Sequence, residues 1–126
     1  MEPRLGQVMG VSWGCSTEEL LSVHPELTPE RDEPDVTTYS LAQFRVGGDL
    51  PARCIFTFWF GELVSVEFTL TEASPEDVDT AAAPLMATFA ELAQRTGVGL
   101  LRLQEGRTRL EVDRLDARIR LEEVPQ

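Results

Sequence analysis

An α+β domain on an antiparallel sheet of five to six strands, in the order α-β-β-β-α-β-β, is what three features of this 126-residue chain predict. Two segments open with helix-capping signatures, Ser16-Thr17-Glu18-Glu19 and Ser74-Pro75-Glu76-Asp77. Residues 36–70 and 98–121 alternate apolar and polar side chains with the period of a strand. Glycine turns separate those runs at Gly47-Gly48, Gly61 and Gly106. With 42% hydrophobic residues, residues 1–126 suit a single domain with one core, because domains of roughly 100–150 residues are the commonest size.

The first helix is short. Ser16 is placed to cap it and Glu19 to reach back, Trp13 can pack over the first turn, and Pro25 ends it near His24. Residues 25–35 then carry three prolines and five acids against one arginine, which reads as a solvated acidic loop or as a contact loop for a basic partner. Three strands follow at 36–46, 52–60 and 63–70. The middle one, with Cys54, Ile55, Phe56, Phe58, Trp59 and Phe60, is apolar on both phases of its alternation and predicts a strand covered on both faces. In the third, Val64, Val66, Phe68 and Leu70 take the inner face.

A longer helix lies between Ser74 and Gly97, packed on one face of the sheet by a stripe of Val78, Ala82, Leu85, Phe89, Leu92 and Thr96. Pro84 predicts two pieces, 75–81 and 84–96, with Gly97 closing the second. Strands at 98–104, 108–112 and 115–121 complete the chain. The last places Leu115, Ala117, Ile119 and Leu121 inward, with a bulge or bend at Asp113-Arg114.

Charge is distributed unevenly. Residues 1–96 hold sixteen acids and five arginines, whereas residues 97–126 hold six of each, so the whole net charge of -11 precedes Gly97. Such a field repels nucleic acid and anionic membranes and attracts basic surfaces. All eleven basic residues are arginine and asparagine is absent, as expected of a G+C-rich bacterial gene. No signal peptide and no run of about 20 apolar residues is visible, so a cytoplasmic location is expected.

Chemistry is sparse. Cys15 and Cys54 belong to no metal-ligand cluster, and in a reducing compartment both are free thiols. Cys15, just before a helix start, is the one placed for reactivity. His24 is the only histidine and lies about 13 Å from Cys15 along a helix axis, too far for a nucleophile pair. The acids of 26–35 lack calcium-loop spacing, and no phosphate-binding glycine motif occurs. No catalytic residue, metal or cofactor is expected. Arg102, Arg107, Arg109, Arg114, Arg118 and Arg120 lack the interleaved aromatics of a nucleic-acid surface. They read as an ion-paired outer face, with Arg114, Arg118 and Arg120 also suited to self-association.

Over residues 16–121 the element order resembles that of the class I type III secretion chaperones. That resemblance implies a curved sheet that dimerises and an extended client wrapped around it. The expected function is therefore non-enzymatic: an acidic domain, homodimeric, acting as chaperone or adaptor for a basic or extended protein. Glu30, Asp32, Glu33, Asp35, Ile55 and Trp59 are the expected contacts. An immunity-type toxin inhibitor is one alternative. The other is a small-molecule binder or enzyme with a pocket between the sheet and helix 84–96, lined by Phe89, Trp59 and Phe58.

Overall fold

The computed structural model describes residues 11–46, 50–87, 89, 94–97 and 99–124. Among these residues it is α+β, with two helices on an eight-stranded antiparallel sheet in the order β1-β2-β3-β4-β8-β7-β6-β5. Helix α1 (Thr17–Val23) leads into β1 (Thr28–Asp32), β2 (Val36–Val46), β3 (Leu50–Trp59) and β4 (Glu62–Leu70). Helix α2 (Pro75–Met86) leads into β5 (Gln94–Gly97), β6 (Leu100–Glu105), β7 (Thr108–Asp113) and β8 (Arg118–Glu123). Each half is thus a helix and a four-strand meander, and the two fourth strands meet at the centre of the sheet.

Both helix starts form as their residues dictate. Ser16 Oγ accepts from the Glu19 N–H at 3.2 Å while the Glu19 carboxylate accepts from the Ser16 N–H, and Ser74 and Asp77 repeat the exchange. Helix α2 differs from the expected two pieces: it runs unbroken through Pro84 and ends at Met86. Pro84 removes the N–H that would donate to the Thr80 carbonyl, and the helix ends two residues later. The expected continuation to Gly97 does not form, since Gln94–Gly97 is strand β5. Gly99, at φ 73, turns that strand back into β6. Leu92 and the Gly47-Gly48-Asp49 turn lie outside the described residues.

Five or six strands were expected and eight are present. The additional two, β1 and β5, are the edges of the sheet. Strand β1 falls within the expected loop 25–35 and all five of its residues are exposed, so it lacks the alternation that marks a buried strand.

Register sets two apolar rows on one face. Tyr39, Phe56, Val66, Leu121, Leu110 and Leu103 form one, and Leu41, Cys54, Phe68, Ile119, Val112 and Leu101 the other. Both helices lie on this face. Helix α2 contributes Val78, Ala81, Ala82 and Leu85 to the core, and α1 contributes Leu20, with the His24 ring 5.9 Å from Phe56. A bulge opposite Thr57 and Phe58 shifts the inner phase of β4, so Leu63 is fully buried where Val64 was expected. Leu115 is 65% exposed in a turn rather than inward on β8, because the Asp113 carboxylate accepts from the Leu115 and Asp116 N–H groups and holds the chain out of the sheet.

Among the described residues, helices cover β3 on one face. Ala52, Cys54, Phe56 and Phe58 are buried, while Arg53, Ile55, Thr57 and Trp59 take the opposite face, which no described helix covers. Among the described residues no helix is long and apolar enough to cross a membrane.

Candidate docking surface at the aromatic hairpin tip

Two loops meet at one end of the β1–β4 half. Trp59 pairs with Glu62, so Phe60 and Gly61 form a two-residue hairpin loop, and both have positive φ, 49° and 80°. Such loops take the primed turns, in which asparagine, aspartate or glycine is the usual first residue. Phenylalanine there is strained, and its ring is 67% exposed, so it adds little to the core. Trp59, 49% exposed, meets it edge to face with ring centroids 5.0 Å apart. The sequence reads Phe60 as the last residue of a strand; the hairpin puts it in the turn, exposed. A Phe-Gly pair between two alternating runs is the signal that would have revealed it.

The β1–β2 turn abuts this tip. The Phe60 N–H donates to the Asp35 carbonyl at 2.9 Å, the Glu33 N–H donates to the Val36 carbonyl at 2.9 Å, and Val36 lies opposite Trp59. Tertiary structure therefore brings Glu33 and Asp35 beside Trp59, with Asp32 at the end of the adjoining strand. Glu30 stands apart, paired with Arg53, and Ile55 is half-buried further along the sheet between Ser40 and Glu67.

These acids differ in how far they are compensated. Arg31 donates to Glu33 at 2.6 Å, and that hydrogen bond holds the Glu33 carboxyl below its ordinary range. Asp32 and Glu62 have no cationic partner among the described residues, and Asp35 feels Arg31 through space without an ion-pair contact. Excess negative charge is thus concentrated around the exposed aromatics.

The arginine half is the reverse. Arg114 Nε lies 2.9 Å from Asp79 of α2, Arg118 meets Asp113 and Asp116, and Arg120 meets Glu111 and Glu122. Arg107 and Arg109 pair with Glu123 and Glu122. A shallow depression of about 180 Å³ opens here, lined by Glu67, Leu100, Glu111, Asp113, Arg118 and Arg120, but its arginines already meet carboxylates of the chain.

Glu111 is the hub of these pairs. Burial pushes its pKa up, yet hydrogen bonds from Arg120 at 2.6 Å and Arg102 at 2.8 Å outweigh that and hold it below the ordinary carboxylate value. A depressed folded-state pKa contributes stability that is present above the unfolded value of about 4.3 and is lost as pH falls through the folded one. Urea midpoints should accordingly be level from neutrality to about pH 5 and fall below it. Glu111→Gln should show a shallower fall than the parent; parallel curves would remove Glu111 as a contributor.

Neither thiol is poised for chemistry. Burial, then the nearby Glu19 carboxylate, raises the Cys15 pKa, and burial alone raises that of Cys54 far more. The pocket expected from Phe89, Trp59 and Phe58 is not assembled, because Phe58 is fully buried on the core face while Trp59 stands on the other. Among the described residues no group of three or more His, Cys, Asp or Glu could hold a metal ion.

No family model matches this chain, and no match is found among curated proteins or solved structures.

Proposed function

We propose that this protein is a non-enzymatic acidic protein-binding domain, a chaperone or adaptor for a client that presents a basic or extended segment. The observation that carries the reading is Phe60, a strained and exposed aromatic where a small polar residue would serve the fold better. Strain of this kind costs on the order of 1–3 kcal/mol and persists where function compensates for it. The exposed pair and its uncompensated carboxylates suit an apolar contact ringed by complementary charge.

The client meets the hairpin tip rather than the sheet edge. Strand β1 is blunted against added strands by Pro29, by a bulge between Pro29 and Arg31, and by Glu30, Arg31 and Asp32. The expected homodimer has less in its favour. Two such tips would set like charges against each other, and Arg114, Arg118 and Arg120 are already engaged within the chain.

Phe60→Asn separates folding from binding. It should raise stability by about 1 kcal/mol in urea unfolding, because asparagine tolerates the left-handed conformation, and should weaken client binding. A photo-crosslinking residue at position 60, used in an extract of the source cells, should give one discrete adduct with a basic protein. The same residue at Leu115, an equally exposed apolar site, should not. Equal or diffuse labelling from both positions would overturn the reading.

A further inference from the structure

We infer that the hairpin tip is an arginine-binding site, taking the guanidinium of a partner protein onto the Trp59 ring with Glu62 and Asp35 as its counter-charges. The inference rests on the docking reading and names the chemistry that would recognise the client.

Three placements carry it. Trp59 and Phe60 stand at 88° to one another, so the pair offers a ring face and a ring edge at right angles, and the Trp59 face is the better seat for a cation. Glu62 lies directly opposite Trp59 in the antiparallel register, where side chains of one face stand about 5 Å apart at Cβ. Asp35 is held against the same turn through its carbonyl, which accepts from the Phe60 N–H. A planar cation can therefore stack on the indole while its edge donates to a carboxylate.

Arginine fits better than lysine. Its guanidinium is flat, weakly hydrated and has five donors in a fork, so stacking and hydrogen bonding to carboxylate occur together, whereas ammonium is a strongly hydrated point. Glu62 has no cationic partner among the described residues and Asp35 shares only the through-space field of Arg31, whereas Glu30 and Glu33 are in direct ion pairs with Arg53 and Arg31. An incoming arginine thus meets two carboxylates that no direct ion pair already occupies among the described residues. A membrane fits less well, because acids flanking an exposed aromatic pair oppose the anionic headgroups that usually assist such insertion.

The test uses the full chain and capped peptides Gly-Arg-Gly-Arg-Gly, with citrulline or norleucine replacing arginine in parallel samples. Trp59 is the exposed tryptophan and Trp13 is 6% exposed, so a bound peptide should shift the Trp59 indole resonance and the exposed component of the fluorescence. The expected result is saturable binding of the arginine peptide, weakened by salt. Affinity should be about tenfold lower for citrulline, which keeps the shape and loses the charge. Glu62→Gln with Asp35→Asn should lower arginine-peptide affinity several-fold, and Trp59→Leu, measured by titration calorimetry because it removes the reporter, should abolish it, all three substitutions leaving the far-ultraviolet circular dichroism spectrum that of a folded protein.

Equal binding of arginine and citrulline peptides, or tighter binding of norleucine, would overturn the inference while leaving an apolar docking site in place. A Trp59 shift produced by phosphatidylcholine vesicles and by no peptide would overturn it in favour of a lipid surface. No response to any peptide would also overturn it; a discrete adduct from position 60 would then still support protein docking, and its absence would remove both.

Discussion

Phe68→Ala is expected to lower the free energy of unfolding by about 3–5 kcal/mol, the range for deleting a fully buried aromatic and leaving a cavity. Phe68 is 0% exposed and sits on β4, which with β8 forms the centre of the sheet. Across the strands it faces Cys54 and Ile119, and the Phe44 ring stacks on it at 5.5 Å between centroids. Atoms lost there have neighbours in regular secondary structure on both sides, so little collapse can refill the space. Since domains of this size have about 5–15 kcal/mol in total, urea unfolding should show a large drop in midpoint. Thr69→Ala, one residue on and on the opposite face, should cost less than about 1 kcal/mol. Equal costs at the two positions would mean that the core does not lie on one face.

Trp13→Ala should cost a similar amount, about 3–5 kcal/mol, though Trp13 belongs to no helix or strand. Its indole N–H donates to Thr108 Oγ1 at 2.8 Å, joining the segment before α1 to the start of β7. Next to it, the Gly14 N–H donates to the Leu63 carbonyl at 3.0 Å and the Leu63 N–H donates to the Cys15 carbonyl at 3.1 Å. One short segment therefore ties α1 to both halves of the sheet. Trp13→Phe retains most of the apolar area and loses the hydrogen bond, so it should cost nearer 1 kcal/mol. The difference between the two variants separates packing from bonding. A Trp13→Ala protein as stable as the parent would mean that the segment is not docked on the sheet.

Much of the α+β framework was legible from residue order, and the places where it was not share a cause. Ser16 and Ser74 announce their helices because a capping exchange is completed within four residues. Strand β1 has no such mark: none of its five residues is buried, and its existence depends on backbone bonds to β2. Strand β5 was hidden differently: Gly97, expected to close a helix, is the last residue of the strand, and Gly99 makes the turn. Of the candidate surface, Trp59, Asp32, Glu33 and Asp35 could be named in advance. Phe60 and Glu62 could not, because assigning Phe60 to a strand or to a turn decides whether it faces the core or the solvent.

By itself, then, the residue string determined what local chemistry controls: two capped helix starts, the alternating strands of the core, and the sign and uneven spread of charge. Only the tertiary structure decided which carboxylates are already matched by arginine, that among the described residues both helices lie on the same face of β3, and that the turns at 33–35 and 60–61 adjoin. Those outcomes depend on register between strands distant along the chain, and register is set by collective burial of the two apolar rows rather than by any neighbouring residues.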